Sequence, residues 1–169
     1  IGLGLVKISG IKMSSRMGNV ILIDEFIDQV KESFNKDLQL IYNVFAGYIL
    51  KSNPEVDKII NLDMINNPKN SAGLYMSYTM ARLSSAGCEL KISDNFISRE
   101  LEFAYLKAKS NLKPNILFEG LIEHCKDINS LYVNNRIKNS DENRKMFELK
   151  LSDLIYGCSK LGLFTIKKV

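Results

Sequence analysis

Asn70-Ser71-Ala72-Gly73-Leu74-Tyr75-Met76-Ser77-Tyr78-Thr79-Met80-Ala81-Arg82-Leu83 decides how this chain folds. It follows an Asn-rich run at 61–71 that contains Pro68, and it stops near Gly87, so it reads as a helix over about Ala72–Ala86. At about 100° per residue, Tyr75, Tyr78 and Arg82 fall within an arc of about 60°. Met76, Met80 and Leu83 fall on a second arc, centred roughly 130° away. The second face is aliphatic and suits a core. The first offers two rings and a guanidinium, groups that stack on splayed bases and bind phosphate. The other reading of the same face is a pair of half-buried packing tyrosines with wet hydroxyls.

The helical pattern extends to both sides. Leu22, Phe26, Ile27 and Val30 step by three and four, with Asp24 as N-cap. Leu38–Leu50 gathers Leu38, Ile41, Tyr42, Phe45 and Ile49 on one side and breaks at Asn53-Pro54. Downstream, Asn95–Ser110 carries Ile97, Leu101, Ala104 and Ala108, with Ser93 or Asp94 as its cap. Pro114 fits the first turn of a helix whose stripe is Leu117, Leu121, Cys125, Ile128 and Tyr132. Asn139-Ser140-Asp141 opens a last helix, with Phe147, Leu151, Leu154, Cys158 and Leu161 in register and Gly162 as its stop. Leu3–Ile8 reads as a strand, and none is expected beyond Leu22. The fold class is therefore all-α, a bundle whose short connections favour antiparallel neighbours.

Composition narrows the function. A chain of 169 residues, 46% hydrophobic and 25% charged, suits one soluble globular domain or one with an appendage. No apolar run is long enough to span a membrane. Ile1–Ile11 is apolar and glycine-rich but has neither a basic leader nor a cleavage site, and a first residue other than Met suggests a trimmed start. A net charge of +4 is only a weak pointer to a polyanion. Cys88, Cys125 and Cys158 are widely spaced and form no Cys-x-x-Cys pair, which favours reduced thiols and a cytoplasmic location. His124 adjoins Cys125, but helix neighbours point about 100° apart and chelate poorly. No metal is expected there, and His124 is expected on a helix surface beside a core Cys.

Two clusters carry a resemblance. Ile11-Lys12-Met13-Ser14-Ser15-Arg16-Met17-Gly18-Asn19 resembles the Lys-Met-Ser-Lys-Ser loop of class I aminoacyl-tRNA synthetases. Gly2-Leu3-Gly4-Leu5-Val6 before it, and Gly18-Asn19-Val20 with Asp24 and Glu25 after it, follow an order similar to that of arginyl-tRNA synthetases. Ser15 stands where the better-known signature has a second Lys, so the charge falls to Lys12 and Arg16. The resemblance implies that Lys12 is the catalytic residue and that Lys12, Met13, Ser14 and Ser15 meet ATP, with its magnesium, in the intact enzyme. An ammonium on a flexible stem suits the charge that grows on a leaving pyrophosphate. The family's nucleotide-binding domain, with its His-Ile-Gly-His signature, has no counterpart here. The chain thus reads as a C-terminal piece, expected to bind no ATP and to activate no amino acid by itself.

The second cluster is Asn70–Leu83 itself, which is similar to the start of the DALR-type anticodon-binding domain of arginyl-tRNA synthetases. Leu74 replaces the family's Pro and Ser77 its Gln. Leu112-Lys113-Pro114, Leu117-Phe118-Glu119 and Asp127-Ile128-Asn129-Ser130-Leu131-Tyr132 continue the likeness, and Leu161-Gly162-Leu163-Phe164 parallels a Leu-Leu-Gly-Ile ending. The family's Pro-Glu-Arg-Met terminus is missing. The resemblance implies a catalytic-domain remnant at 1–20, connecting helices at 21–69 and an anticodon-binding domain at 70–169. It implies tRNA contacts at Tyr75, Tyr78, Arg82, Tyr132, Asn135 and Arg136. The expected partner is an arginine-accepting tRNA, with no membrane, and the chain is expected to be a monomer. Function is then anticodon stem-loop binding within an enzyme that ligates arginine to its tRNA using ATP. The rivals are a stand-alone or truncated paralogue that binds tRNA without aminoacylation, the equivalent piece of another class I synthetase, and a helical interaction module with no nucleic-acid role.

Overall fold

The computed structural model describes residues 6–8, 27–28, 31–34, 37–60, 71–135, 137 and 140–167. Five helices make up most of it, each opened by a recognisable signal. Asp37 accepts from the backbone N–H groups of Gln39 and Leu40 at 3.0 and 3.1 Å and starts α1, Leu38–Leu50. Ser71 Oγ accepts from Leu74 N at 3.1 Å and starts α2, Ala72–Ser85; Gly87 turns the chain away at a φ of +96°. Next come α3, Arg99–Asn111, and α4, Pro114–Asn134, with Pro114 in the first turn. The last helix, α5, Asp141–Lys160, is capped by Ser140, and Gly162 leaves it at a φ of +71°.

Three expectations need comment. The helix around Asp24 falls largely outside the described residues; Ile27–Asp28 are helical and Lys31–Phe34 form a 3-10 turn. A strand does occur beyond Leu22, contrary to the sequence reading. β1, Val6–Ile8, runs parallel to β2, Lys58–Ile60, with Val6 opposite Lys58. Three residues carry too little alternation to announce a strand, and their pairing partner is far away in sequence. The third helix begins at Arg99 rather than Asn95. Asp153 on α5 accepts from Ile97 N at 2.6 Å and Ser98 N at 3.0 Å, and Ser98, in an extended conformation, becomes the cap. Ile97, expected on the buried stripe, is 50% exposed as a result.

The helices form an antiparallel bundle around one large core. Met76, Met80 and Leu83 from α2 meet Phe118, Leu121, Cys125 and Ile128 from α4, and Phe147, Leu151, Leu154 and Cys158 from α5, all essentially sealed from solvent. Burying one such side chain contributes about 1.5–3 kcal/mol. A smaller cluster of Phe34, Leu40, Ile41, Val44 and Leu74 joins α1 to α2. That pair packs backbone to backbone: a Cβ on Gly73 would lie 2.0 Å from the carbonyl oxygen of Asn43. Asn43 also reaches the C-terminal segment. Its Nδ2 donates to Phe164 O, and its Oδ1 accepts from Phe164 N, both at 2.8 Å. This holds the tail on α1, with the Phe164 ring edge-on to Tyr42 at 5.2 Å.

Candidate nucleic-acid interface

The aliphatic face of α2 is spent on the core, which turns its other face toward solvent and toward α4. Tyr78 is 47% exposed, whereas Tyr75 and Arg82 are half-buried. The three residues expected on one face therefore divide. Tyr75 packs against the core cluster and its hydroxyl is engaged, while Tyr78 presents its ring to water.

Asn129, on the adjoining face of α4, ties these residues together. Its Oδ1 accepts from Arg82 Nη1 at 2.8 Å. Its Nδ2 lies 2.9 Å from Cys125 O, 2.9 Å from Thr79 Oγ1 and 3.1 Å from Tyr75 Oη, so two amide hydrogens serve three acceptors. Thr79 in turn donates to Tyr75 O at 2.9 Å. The Arg82 guanidinium carbon sits 4.6 Å from the centre of the Tyr132 ring and 5.5 Å from that of Tyr78. Both distances are within cation–π range. The Tyr132 ring stands edge-on to Phe147, with centroids 5.9 Å apart, which anchors that wall in the core. The result is a positive charge fixed between two rings, one of them open to solvent.

Sequence reasoning placed Tyr75, Tyr78, Arg82 and Tyr132 in one role, and the fold brings all four together. It did not single out Asn129 or Thr79. The available signal was an amide one turn after Cys125 and three residues before Tyr132, on the packed side of a long helix. Asn135 is half-buried at the end of α4, where its Nδ2 donates to Leu131 O at 3.1 Å. Arg136 lies outside the described residues, as do Lys12, Met13, Ser14 and Ser15.

His124 corrects an expectation. It is buried, at 8% exposure, rather than on the surface, because α5 covers it, and its Nε2 lies 3.0 Å from Lys150 O. A carbonyl only accepts, so Nε2 carries the proton. Burial holds the imidazole pKa below its ordinary value, while the bond to Lys150 O works the other way. Among the described residues no group of three or more His, Cys, Asp or Glu is placed to hold a metal ion. The three cysteines are free and buried; burial pushes the Cys88 thiol up to about 11 and Cys125 up to about 12, which leaves both poor nucleophiles. No helix among the described residues is long and apolar enough to cross a membrane.

No protein-family model matches the chain. Similarity to individual proteins is nonetheless consistent. The arginine–tRNA ligase of Clostridium botulinum strain Alaska E43 / Type E3 is 24% identical over 209 residues, covering 100% of this chain and 37% of that protein. The curated proteins that this chain resembles are named arginine–tRNA ligases. A second arginine–tRNA ligase, from Clostridium botulinum strain 657 / Type Ba4, is 28% identical over 186 residues, covering 89% of this chain and 32% of the ligase. The chain thus spans about a third of the length of the curated relatives it matches. The stretch aligned with the first is longer than the 169 residues here, so the two chains differ by gaps as well as substitutions. The fold is that of part of the Thermus thermophilus arginyl-tRNA synthetase, with a TM-score of 0.70 at 17% identity, over 98% of this chain and 34% of that one.

Proposed function

We propose that this chain is the anticodon-binding part of an arginyl-tRNA synthetase, and that α2 and α4 grip the anticodon stem-loop of an arginine-accepting tRNA. The observation that carries the reading is the solvent-exposed Tyr78 ring beside an Arg82 guanidinium fixed over Tyr132. Unpaired bases stack on open aromatic faces, and a guanidinium meets phosphate oxygens or base edges. The relatives are named for arginine and tRNA, which selects the ligand within that chemistry. Residues 70–169 form the anticodon-binding unit in this reading, 21–69 the connecting helices, and 1–20 the remnant of the catalytic domain. Tyr75 and Asn135 take part chiefly by shaping the surface, because their polar tips are tied to α4. Arg136, next in sequence to Asn135, is a further tRNA contact in this reading. In the intact enzyme Lys12, Met13, Ser14 and Ser15 would face the ATP that the enzyme uses to ligate arginine to the tRNA; the chain by itself activates no amino acid.

A binding titration tests this directly. The chain is titrated with arginine tRNA and with an unrelated tRNA across a salt series. Preference for the arginine acceptor is expected, with Arg82→Ala weakening it by about 1–3 kcal/mol. Equal retention of both tRNAs, or no retention at low salt, overturns the proposal.

A further inference from the structure

We infer that Asn129 is a positioning residue that makes Arg82 a discriminating contact rather than a merely charged one. The inference rests on the RNA-binding reading above and adds to it a division of labour within the site. Arg82 is constrained on three sides: Asn129 Oδ1 takes Nη1 at 2.8 Å, the Tyr132 ring lies 4.6 Å from the guanidinium carbon, and the Tyr78 ring lies 5.5 Å from it. Asn129 is itself held by Cys125 O and Thr79 Oγ1, both at 2.9 Å, so it cannot follow a wandering guanidinium.

Such fixing is superfluous for a phosphate. Phosphate contacts depend on charge, tolerate a mobile side chain and carry no sequence information. A base edge is different, because telling one base from another requires donors in a set plane and direction. With one of its five N–H groups occupied by Asn129, Arg82 offers its remaining donors in one orientation only. The ligand chemistry this favours is an unpaired base with adjacent acceptor atoms, stacked near Tyr78.

The full chain is titrated with the anticodon stem-loop of an arginine tRNA and with single-base variants of that loop, over several salt concentrations. Asn129→Ala is expected to bring the affinities for the different loops within about threefold of one another, while the dependence on salt keeps its slope. Adding Asn129→Ala to Arg82→Ala should cause little further loss, since the two act through one contact. Asn129→Asp keeps the acceptor for Arg82 but loses the N–H groups that bond Cys125 O and Thr79 Oγ1, so it is expected to retain the pairing with Arg82 while discrimination falls between that of the parent and that of Asn129→Ala. If Asn129→Ala fails to fold, Asn129→Ser serves in its place: it can bond back to Cys125 O but is too short to reach Arg82, so the same loss is expected. Undiminished discrimination in the Ala or Ser variant overturns the inference. So does equal weakening toward every loop with a lower melting temperature, which marks a packing role. A drop in salt slope of about one for Arg82→Ala, with selectivity intact, assigns Arg82 to phosphate and overturns it too. Wild-type protein that binds no stem-loop fails at the earlier step, and that result is distinct from all of these.

Discussion

The α3–α4–α5 seam and the α2–α4 seam of the bundle both hold polar groups, and they use them differently. Between α3, α4 and α5 lies a cleft of about 520 Å³ lined by Ser98, Glu123, His124, Lys150 and Asp153, among others. A cleft of that size could hold a small ligand. Yet Asp153, only 3% exposed, gives its two oxygens to Ile97 N and Ser98 N, and His124 gives its N–H to Lys150 O. Every partner in that set is backbone. Between α2 and α4, by contrast, Asn129 is bonded to the side chains of Tyr75, Thr79 and Arg82. A polar group bonded to backbone fixes the path of the chain. One bonded to side chains at the surface fixes what the surface offers to a partner.

The largest effect that could break this contrast is on stability at the first seam. Asp153→Ala leaves two N–H groups ahead of α3 without their acceptor and is expected to cost about 3 kcal/mol. Urea unfolding measures it. The surviving folded protein should bind RNA as the parent does. A loss under about 1 kcal/mol would mean that water replaces Asp153 easily and that the cleft is more open than its bonding implies.

The second effect falls on the other seam and runs in the opposite sense. Tyr78→Ala removes a ring that is 47% exposed and lies 5.5 Å from the Arg82 guanidinium carbon. Stability should change by no more than about 0.5 kcal/mol. RNA binding should weaken by about 1–3 kcal/mol, the worth of one stacked base. A variant that loses stability but not affinity reverses the assignment and makes Tyr78 a packing residue.

The same contrast explains what could be read from sequence. Helices α2 and α5 were legible because each has a side-chain cap and a long apolar stripe, as with Ser71 followed by Met76, Met80 and Leu83, and α4 because Pro114 marks its first turn ahead of such a stripe. The bounds of α1 were legible too, but not its packed side: Leu38 and Tyr42 are exposed and Leu40, Ile41 and Val44 are buried, because the partner is Gly73 and Leu74 of α2. That Tyr78 and Arg82 lie side by side was legible because helical spacing alone puts them on one face, and the resemblance pointed to Tyr132, whose ring lies 4.6 Å from the guanidinium carbon. What escaped the reading depends on distant partners. The start of α3 is set by Asp153, more than fifty residues downstream. The burial of His124 is set by α5, and the β2 strand by residues near the start of the chain. Asn129 escaped for the same reason: an Asn in a helix shows its bonding only once Arg82 and Thr79 have been brought beside it from another helix.

The smallest expected effect is a change in slope with pH, and it tests whether the first seam is as closed as its bonds imply. Burial lowers the His124 pKa in the folded chain, so the unfolded chain takes up a proton first as pH falls. Stability from the neutral, buried imidazole is complete above the ordinary His value of about 6.5 and declines below it, until the folded form is protonated too. Lys150 adds to the lowering, while Asp153 and Asp127 oppose it. His124→Gln keeps an N–H able to reach Lys150 O but has nothing to titrate. Compared with the parent, its unfolding free energy should fall less steeply from neutral pH downward, with the carboxylates' contribution common to both. Parallel slopes for the two proteins would show that His124 is solvated in the folded state. The first seam would then be a wet cleft with room for a ligand, and the distinction between the two seams would have to be drawn again from the Asn129 side alone.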